Sequence, residues 1–193
     1  DKVAIVAAGG IGPLVQLLQT GTDSGKEQAA WALSNLAGNN DNRVAIVAAG
    51  AIEPLVQLLQ TGADGGKEQA AAALRNLACD IVDNKVAIVA AGAIEPLIQL
   101  LQTGTDGGKE QAAAALRNLA YKSVNNQVTI AAAGAIELLI QLLQTGTDGG
   151  NQQAARAPAT PPGTADIDEA AIAGAGGIGP LVQLLQTGTD YRK

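Results

Sequence analysis

AGAIEPLIQLLQTGTD, residues 91–106, stands in this chain five times with small changes: here and at 8–23, 49–64, 133–148 and 175–190. Its anchoring isoleucine falls at Ile11, Ile52, Ile94, Ile136 and Ile178, in steps of 41, 42, 42 and 42 residues. A fixed period of this length marks a solenoid, in which each unit buries its apolar face only against its neighbours. The units read as 1–40, 41–82, 83–124, 125–165 and a partial 166–193, forming one domain over 1–193.

Each period parses into three helices. The first is short: DNKVAIVAAG, with Asp83 or Asn84 as N-cap and Gly92 free to take φ > 0 at its end. In the second, AIEPLIQLLQTG, Pro96 sits in the first turn, where a missing N–H costs nothing, and Gly104 closes the helix. Leu97, Ile98, Leu100 and Leu101 crowd it too densely for a one-sided surface helix, so cover on most sides is expected. After a turn in which Asp106 serves as cap, the third helix, KEQAAAALRNLA, carries Ala112, Ala113, Leu116, Leu119 and Ala120 as its core stripe. Hydrophobic residues reach 47% while aromatics are 2%, with no Phe and no Met, which suits closely packed helices.

A three-helix repeat of about 42 residues resembles the armadillo family. The resemblance covers nearly the whole chain. NKVAIVAAGAIEPLIQLL (84–101) is similar to the first two helices of an armadillo unit. EQAAWALSNLA (27–37) looks like the third helix of importin alpha and of consensus armadillo designs. LRNLA, at 74–78 and 116–120, is closer to the beta-catenin and plant or vacuolar members. The fold this implies is an all-α, right-handed superhelical armadillo solenoid.

The period is kept but the pattern breaks in the fourth unit. Its third helix reads NQQAARAPATPP at 151–162, where Pro158, Pro161 and Pro162 exclude most of the helical turns. Order is expected to return with Asp166 as N-cap. Either a natural hinge or a pair of compensating frame shifts accounts for a changed stretch of unchanged length.

Several chemistries are disfavoured. The chain has no histidine, so the commonest general base and metal ligand is missing, and no enzyme, metal or cofactor is expected. Cys79, the single cysteine, has no CxxC partner and reads as a structural thiol. GTDGGKEQ lacks the phosphate-loop pattern. Asp23, Asp64, Asp106 and Asp148 recur once per unit, and solitary carboxylates do not build a calcium site. A net charge of −6 argues against nucleic acid as partner, and no apolar run approaches the ~20 residues of a membrane span. The chain opens on DKVAIVAAGG without Met or a leader, as in a processed product or a piece of a longer chain. Location in the cytoplasm or nucleus is expected, with self-association through uncapped apolar ends.

What remains is a surface. The resemblance implies that the third helices line a concave groove in which an asparagine per unit holds an extended peptide. The matching residues are Asn35, Asn76 and Asn118, with Thr160 in the broken segment. An Asn amide carries donor and acceptor and can bond a main chain regardless of sequence, although Asn near a helix end also satisfies loose carbonyls. One turn earlier stand Trp31, Ala72 and Ala114, and a turn before those Glu27, Glu68 and Glu110. Beside the later asparagines stand Arg75 and Arg117, whose competing role is pairing with a surface glutamate. The beta-catenin resemblance implies that these arginines favour acidic side chains. Importin alpha uses Trp/Asn pairs for basic peptides, and here only Trp31 and Asn35 match.

The leading expectation is a protein–protein interaction scaffold binding extended segments of other proteins. The alternatives are a nuclear transport receptor of importin alpha type, the targeting region of a larger protein such as a ubiquitin ligase, and a degenerate fragment without retained function. Loss of leucine anchors from one interface costs about 2–5 kcal/mol each. Amide exchange is therefore expected to be fastest over 151–168; protection there equal to that of the second and third units would contradict this.

Overall fold

The computed structural model describes residues 5–6 and 8–145. Ten helices are set out over that span: α1 (Ile11–Thr20), α2 (Asp23–Leu36), α3 (Asn40–Ala48), α4 (Ile52–Thr61), α5 (Asp64–Leu77), α6 (Val82–Ala90), α7 (Ile94–Thr103), α8 (Asp106–Ala120), α9 (Val124–Ala132) and α10 (Ala135–Thr145). First, second and third helices succeed one another as the period predicts, in an all-helical solenoid. The expectations for the broken third helix, for Asp166 and for the fifth unit lie outside the described residues.

Two kinds of glycine shape each unit. Gly50, Gly92 and Gly134 take φ between +77° and +80°, the left-handed conformation that a side chain resists. They turn the chain between first and second helices, so that α3 and α4 bend by 81° and α6 and α7 by 77°. No single helix among the described residues is long and apolar enough to cross a membrane. Gly62 and Gly104, by contrast, have ordinary extended backbone. They are needed for space: a methyl on Gly104 would come within 2.5 Å of the Leu100 carbonyl oxygen.

The second helices are covered on most sides, as expected. In α7, Ile94, Leu97, Ile98, Leu100 and Leu101 are all buried, and α4 repeats the pattern. The third helices α2, α5 and α8 pack most extensively on one another. On these helices Ala29, Ala30, Ala70, Ala71, Ala112 and Ala113 are fully buried and belong to one core with the buried Leu33, Leu74 and Leu116. Alanine lets backbones approach closely, which is why the core needs so few aromatic residues.

Two capping expectations are corrected. The first helix of the third unit begins at Val82 after Ile81, so Asp83 lies in its first turn, and buried Asn84 uses its amide elsewhere. Two of the three third helices, α2 and α8, are capped by threonine and none by the following aspartate. Thr22 accepts from the Gly25 N–H at 3.2 Å and Thr105 from the Gly108 N–H at 3.1 Å, while Asp23 and Asp106 occupy the first turn. A hydroxyl one residue outside the helix meets the orphan N–H groups, whereas the carboxylate inside faces the positive helix end.

The odd first step of 41 residues also has a cause. The turns before α6 and α9 each contain a left-handed residue, Asp80 (φ 58°) and Lys122 (φ 57°). The segment from Asn35 to the start of α3 is one residue shorter than that from Asn76 to the start of α6. It contains no such residue.

At α5 the N-cap is Ala63, which has the same extended backbone as Thr22 and Thr105 but no hydroxyl. Ala63→Thr is expected to raise stability by about 1 kcal/mol in urea unfolding; an unchanged or lowered midpoint would contradict the capping assignment.

Candidate functional site

The third helices present the residues that the sequence marks, and hydrogen bonding at their C-terminal ends decides how those residues are used. The last carbonyls of a helix have no partner within it, and leaving one buried and unpaired costs about 1–3 kcal/mol. Here they are met from neighbouring helices. Asn76 Nδ2 donates to Ser34 O at 2.9 Å and to Ser34 Oγ at 3.2 Å. Asn118 Nδ2 donates to Arg75 O at 2.9 Å. Each asparagine thus ties its own third helix to the end of the preceding one.

A second ladder, which the sequence reading missed, does the same from the first helices. Asn42, Asn84 and Asn126 are buried and donate to Leu36 O, Leu77 O and Leu119 O at 3.0, 3.0 and 2.9 Å. The signal was present: these asparagines stand 42 residues apart. The next residue along each first helix adds a further clamp. Arg43 donates to Ala37 O at 2.7 Å and to Cys79 O at 3.0 Å, Lys85 to Tyr121 O at 2.7 Å, and Gln127 to Ala120 O at 3.1 Å.

A family profile for the armadillo/beta-catenin-like repeat matches residues 1–38, 39–79 and 82–121, more than half of the chain. The chain belongs to the armadillo repeat family. A designed armadillo repeat protein, solved in complex with the peptide (KR)4, superposes with a TM-score of 0.86 at 26% identity, over 95% of this chain and 77% of its own. An engineered protein at 36% identity gives 0.85 over 95% and 75%. Computationally designed armadillo repeat proteins for modular peptide recognition give 0.85 at 27%, over 95% and 77%. No curated protein matches the chain.

Within this armadillo surface the marked residues fall into two groups. Trp31 is 55% exposed, and Asn35 beside it is exposed, its amide donating to Trp31 O at 3.1 Å within the same helix. No hydrogen bond is formed by Asn35 Oδ1 among the described residues. Asn76 and Asn118 are half-buried and engaged at both ends of the amide. Arg75 donates through Nε and Nη2 to Asn76 Oδ1 at 3.1 and 3.0 Å, and through Nη1 to Gln111 Oε1 on α8 at 2.7 Å. Arg117 bonds Asn118 Oδ1 in the same way, at 3.2 and 3.0 Å. Arg75 thus takes amide oxygens where the sequence offered a glutamate, and three of its five N–H donors are in use. At the positions equivalent to Trp31, Ala72 and Ala114 are buried, at 8% and 1% exposure.

The glutamates face the next unit. The Glu27 carboxylate lies where a methyl on Gly65 would come within 2.8 Å of it, and Glu68 stands likewise against Gly107, at 2.6 Å. Thr105 Oγ1 donates to Glu68 Oε2 at 3.3 Å. Both carboxylates therefore sit at the positive N-terminal end of the following third helix, which glycine leaves room for. Glu110 is half-buried, and Gly149, the corresponding glycine, lies outside the described residues.

Cys79 donates to Asp80 Oδ2 at 3.3 Å. Burial, followed by this hydrogen bond, pushes its thiol above the ordinary value, which works against a thiolate nucleophile. No group of three or more metal-ligating side chains occurs among the described residues.

Proposed function

We propose that this armadillo chain is a protein–protein interaction scaffold that binds extended peptide segments along its third helices. The observation that carries the reading is the exposed Trp31–Asn35 pair on α2: a large ring left in solvent beside an amide with an unused acceptor. Further along the same surface, Arg75 keeps two N–H donors beyond its three contacts. The relative solved with a bound peptide and those designed for peptide recognition support the same use of the fold.

Packed helices lie ~8–10 Å apart and an extended chain advances ~3.3 Å per residue, so three third helices span roughly six to nine residues. Net hydrogen bonds contribute ~0.5–1.5 kcal/mol each, which offsets the ordering of a short peptide only in part. Binding in the millimolar-to-micromolar range follows, with the Trp31 ring supplying the main apolar contact. Asn35 acts as the open rung. Asn76, Asn118 and Arg117 mark the later positions along the groove, where the asparagines also tie neighbouring third helices together. Arg75 selects acidic side chains, whereas the relative above holds a basic peptide. Glu27, Glu68 and Glu110 flank the groove, and the first two act mainly by fixing the next third helix.

Fluorescence anisotropy with labelled extended peptides of about eight residues, one acidic and one basic, tests this directly. The acidic peptide is expected to bind better. Trp31→Ala, at an exposed position, is expected to weaken it about tenfold, equal to ~1.4 kcal/mol. Affinity unchanged by both Trp31→Ala and Asn35→Ala would overturn the site, and preference for the basic peptide would point to the importin-type alternative.

A further inference from the structure

A cleft of about 330 Å³ opens where the turns leading into α6 and α9 meet, and none of the third-helix ladder residues lines it. Its centre is Tyr121, whose ring carries an ammonium group near it from two lysines: Lys85 Nζ at 5.2 Å from the ring centre and Lys122 Nζ at 5.1 Å. Lys85 is only 5% exposed. One of its three donors is on Tyr121 O, and no described carboxylate forms an ion pair with it.

The repeat explains the first of these contacts and not the rest. At the preceding junction Arg43 occupies the same place, and its charge is spread over Ala37 O, Asn40 Oδ1 and Cys79 O. At the following one stands neutral Gln127, on Ala120 O. Only at Lys85, among the described junctions, does a compact ammonium with spare donors stay buried beside a second cation. Lys122 holds a left-handed φ of 57°, a conformation that glycine would take without strain. The start of α9 adds a positive helix end, since Ser123 is its N-cap and lines the cleft with Asn126. Val82 and Val86, 70% and 62% exposed, form an apolar wall. Asp80 also lines the cleft, so two cations face one carboxylate in a chain whose net charge is −6.

We propose that this cleft binds an oxyanion, a phosphate or carboxylate group, at the Lys85 and Lys122 ammonium groups, with the body that carries it against Tyr121 and Val86. Burial, the largest influence, lowers the Lys85 pKa, with Lys122 adding to it while Asp80 and Cys79 oppose. A bound anion adds to the single carboxylate, Asp80, that offsets the two ammonium groups.

The test is an NMR titration of the ¹⁵N-labelled chain with sodium phosphate, sodium acetate and sodium chloride at matched ionic strength. Saturable shifts are expected over 121–126 with phosphate or acetate and not with chloride. Response to phosphate alone assigns a phosphate ligand; response to acetate assigns a carboxylate. Lys122→Gln, at an exposed position, is expected to weaken binding about three- to fivefold, and Asp80→Asn, which keeps a residue tolerant of the left-handed turn, to tighten it. Shifts no larger than those with chloride, or affinities indifferent to both substitutions in chains that circular dichroism shows to be folded, would overturn the proposal.

Discussion

The carbonyl groups at the C-terminal end of each third helix are the constraint around which the rest of this solenoid is arranged. A helix leaves its last carbonyls unpaired, and a stack of helices buries those ends between units where water cannot serve them. Asparagine solves the problem twice per unit: Asn76 and Asn118 reach backward from the third helix, Asn84 and Asn126 from the first. The residue after each first-helix asparagine reaches a further carbonyl, as Arg43 and Lys85 do just past the third helix of their own unit. Alanine packing between third helices supplies the close approach that makes these bonds short enough to form.

Those bonds set the terms on which the surface can bind anything. A side chain that holds the stack together is available to a peptide only through what it has left over. Asn76 spends its amide nitrogen on Ser34 and its oxygen on Arg75. Asn35 is different because its amide turns back onto its own helix and Trp31 stands open beside it. In the proposed peptide-binding role, specificity is therefore assigned to the open Trp31–Asn35 pair on α2, and the later asparagines and arginines are assigned a regular spacing and positive charge. The same logic separates Lys85 from Arg43: one position, one structural task, and a leftover charge only where the side chain is lysine.

Much of the fold was legible because the period is nearly perfect. The isoleucine register gave the succession of three helices over the described residues, Gly92 gave the turn, and the crowding of Leu97, Ile98, Leu100 and Leu101 gave a second helix covered on most sides. Capping was legible in kind but not in place, since Thr105 and Asp106 are adjacent and both suit a helix start. The candidate site was harder. Sequence marks which residues recur but not which direction an amide faces, so a recurring asparagine reads equally as a rung for a peptide and as a clamp between units. Gln111 as partner of Arg75, and the glycines that admit Glu27 and Glu68, depend on contacts between residues 36–39 apart in the chain that no local pattern encodes.

The most direct measurement is the urea-unfolding free energy of Asn84→Ala beside that of Asn35→Ala. If buried carbonyls at third-helix ends govern the stack, Asn84→Ala, which strands Leu77 O, lowers stability by about 1–3 kcal/mol, and Asn35→Ala, at an exposed position, changes it by less than about 0.5 kcal/mol. Equal effects at the two positions, or an Asn84→Ala chain as stable as the parent, would contradict that central claim.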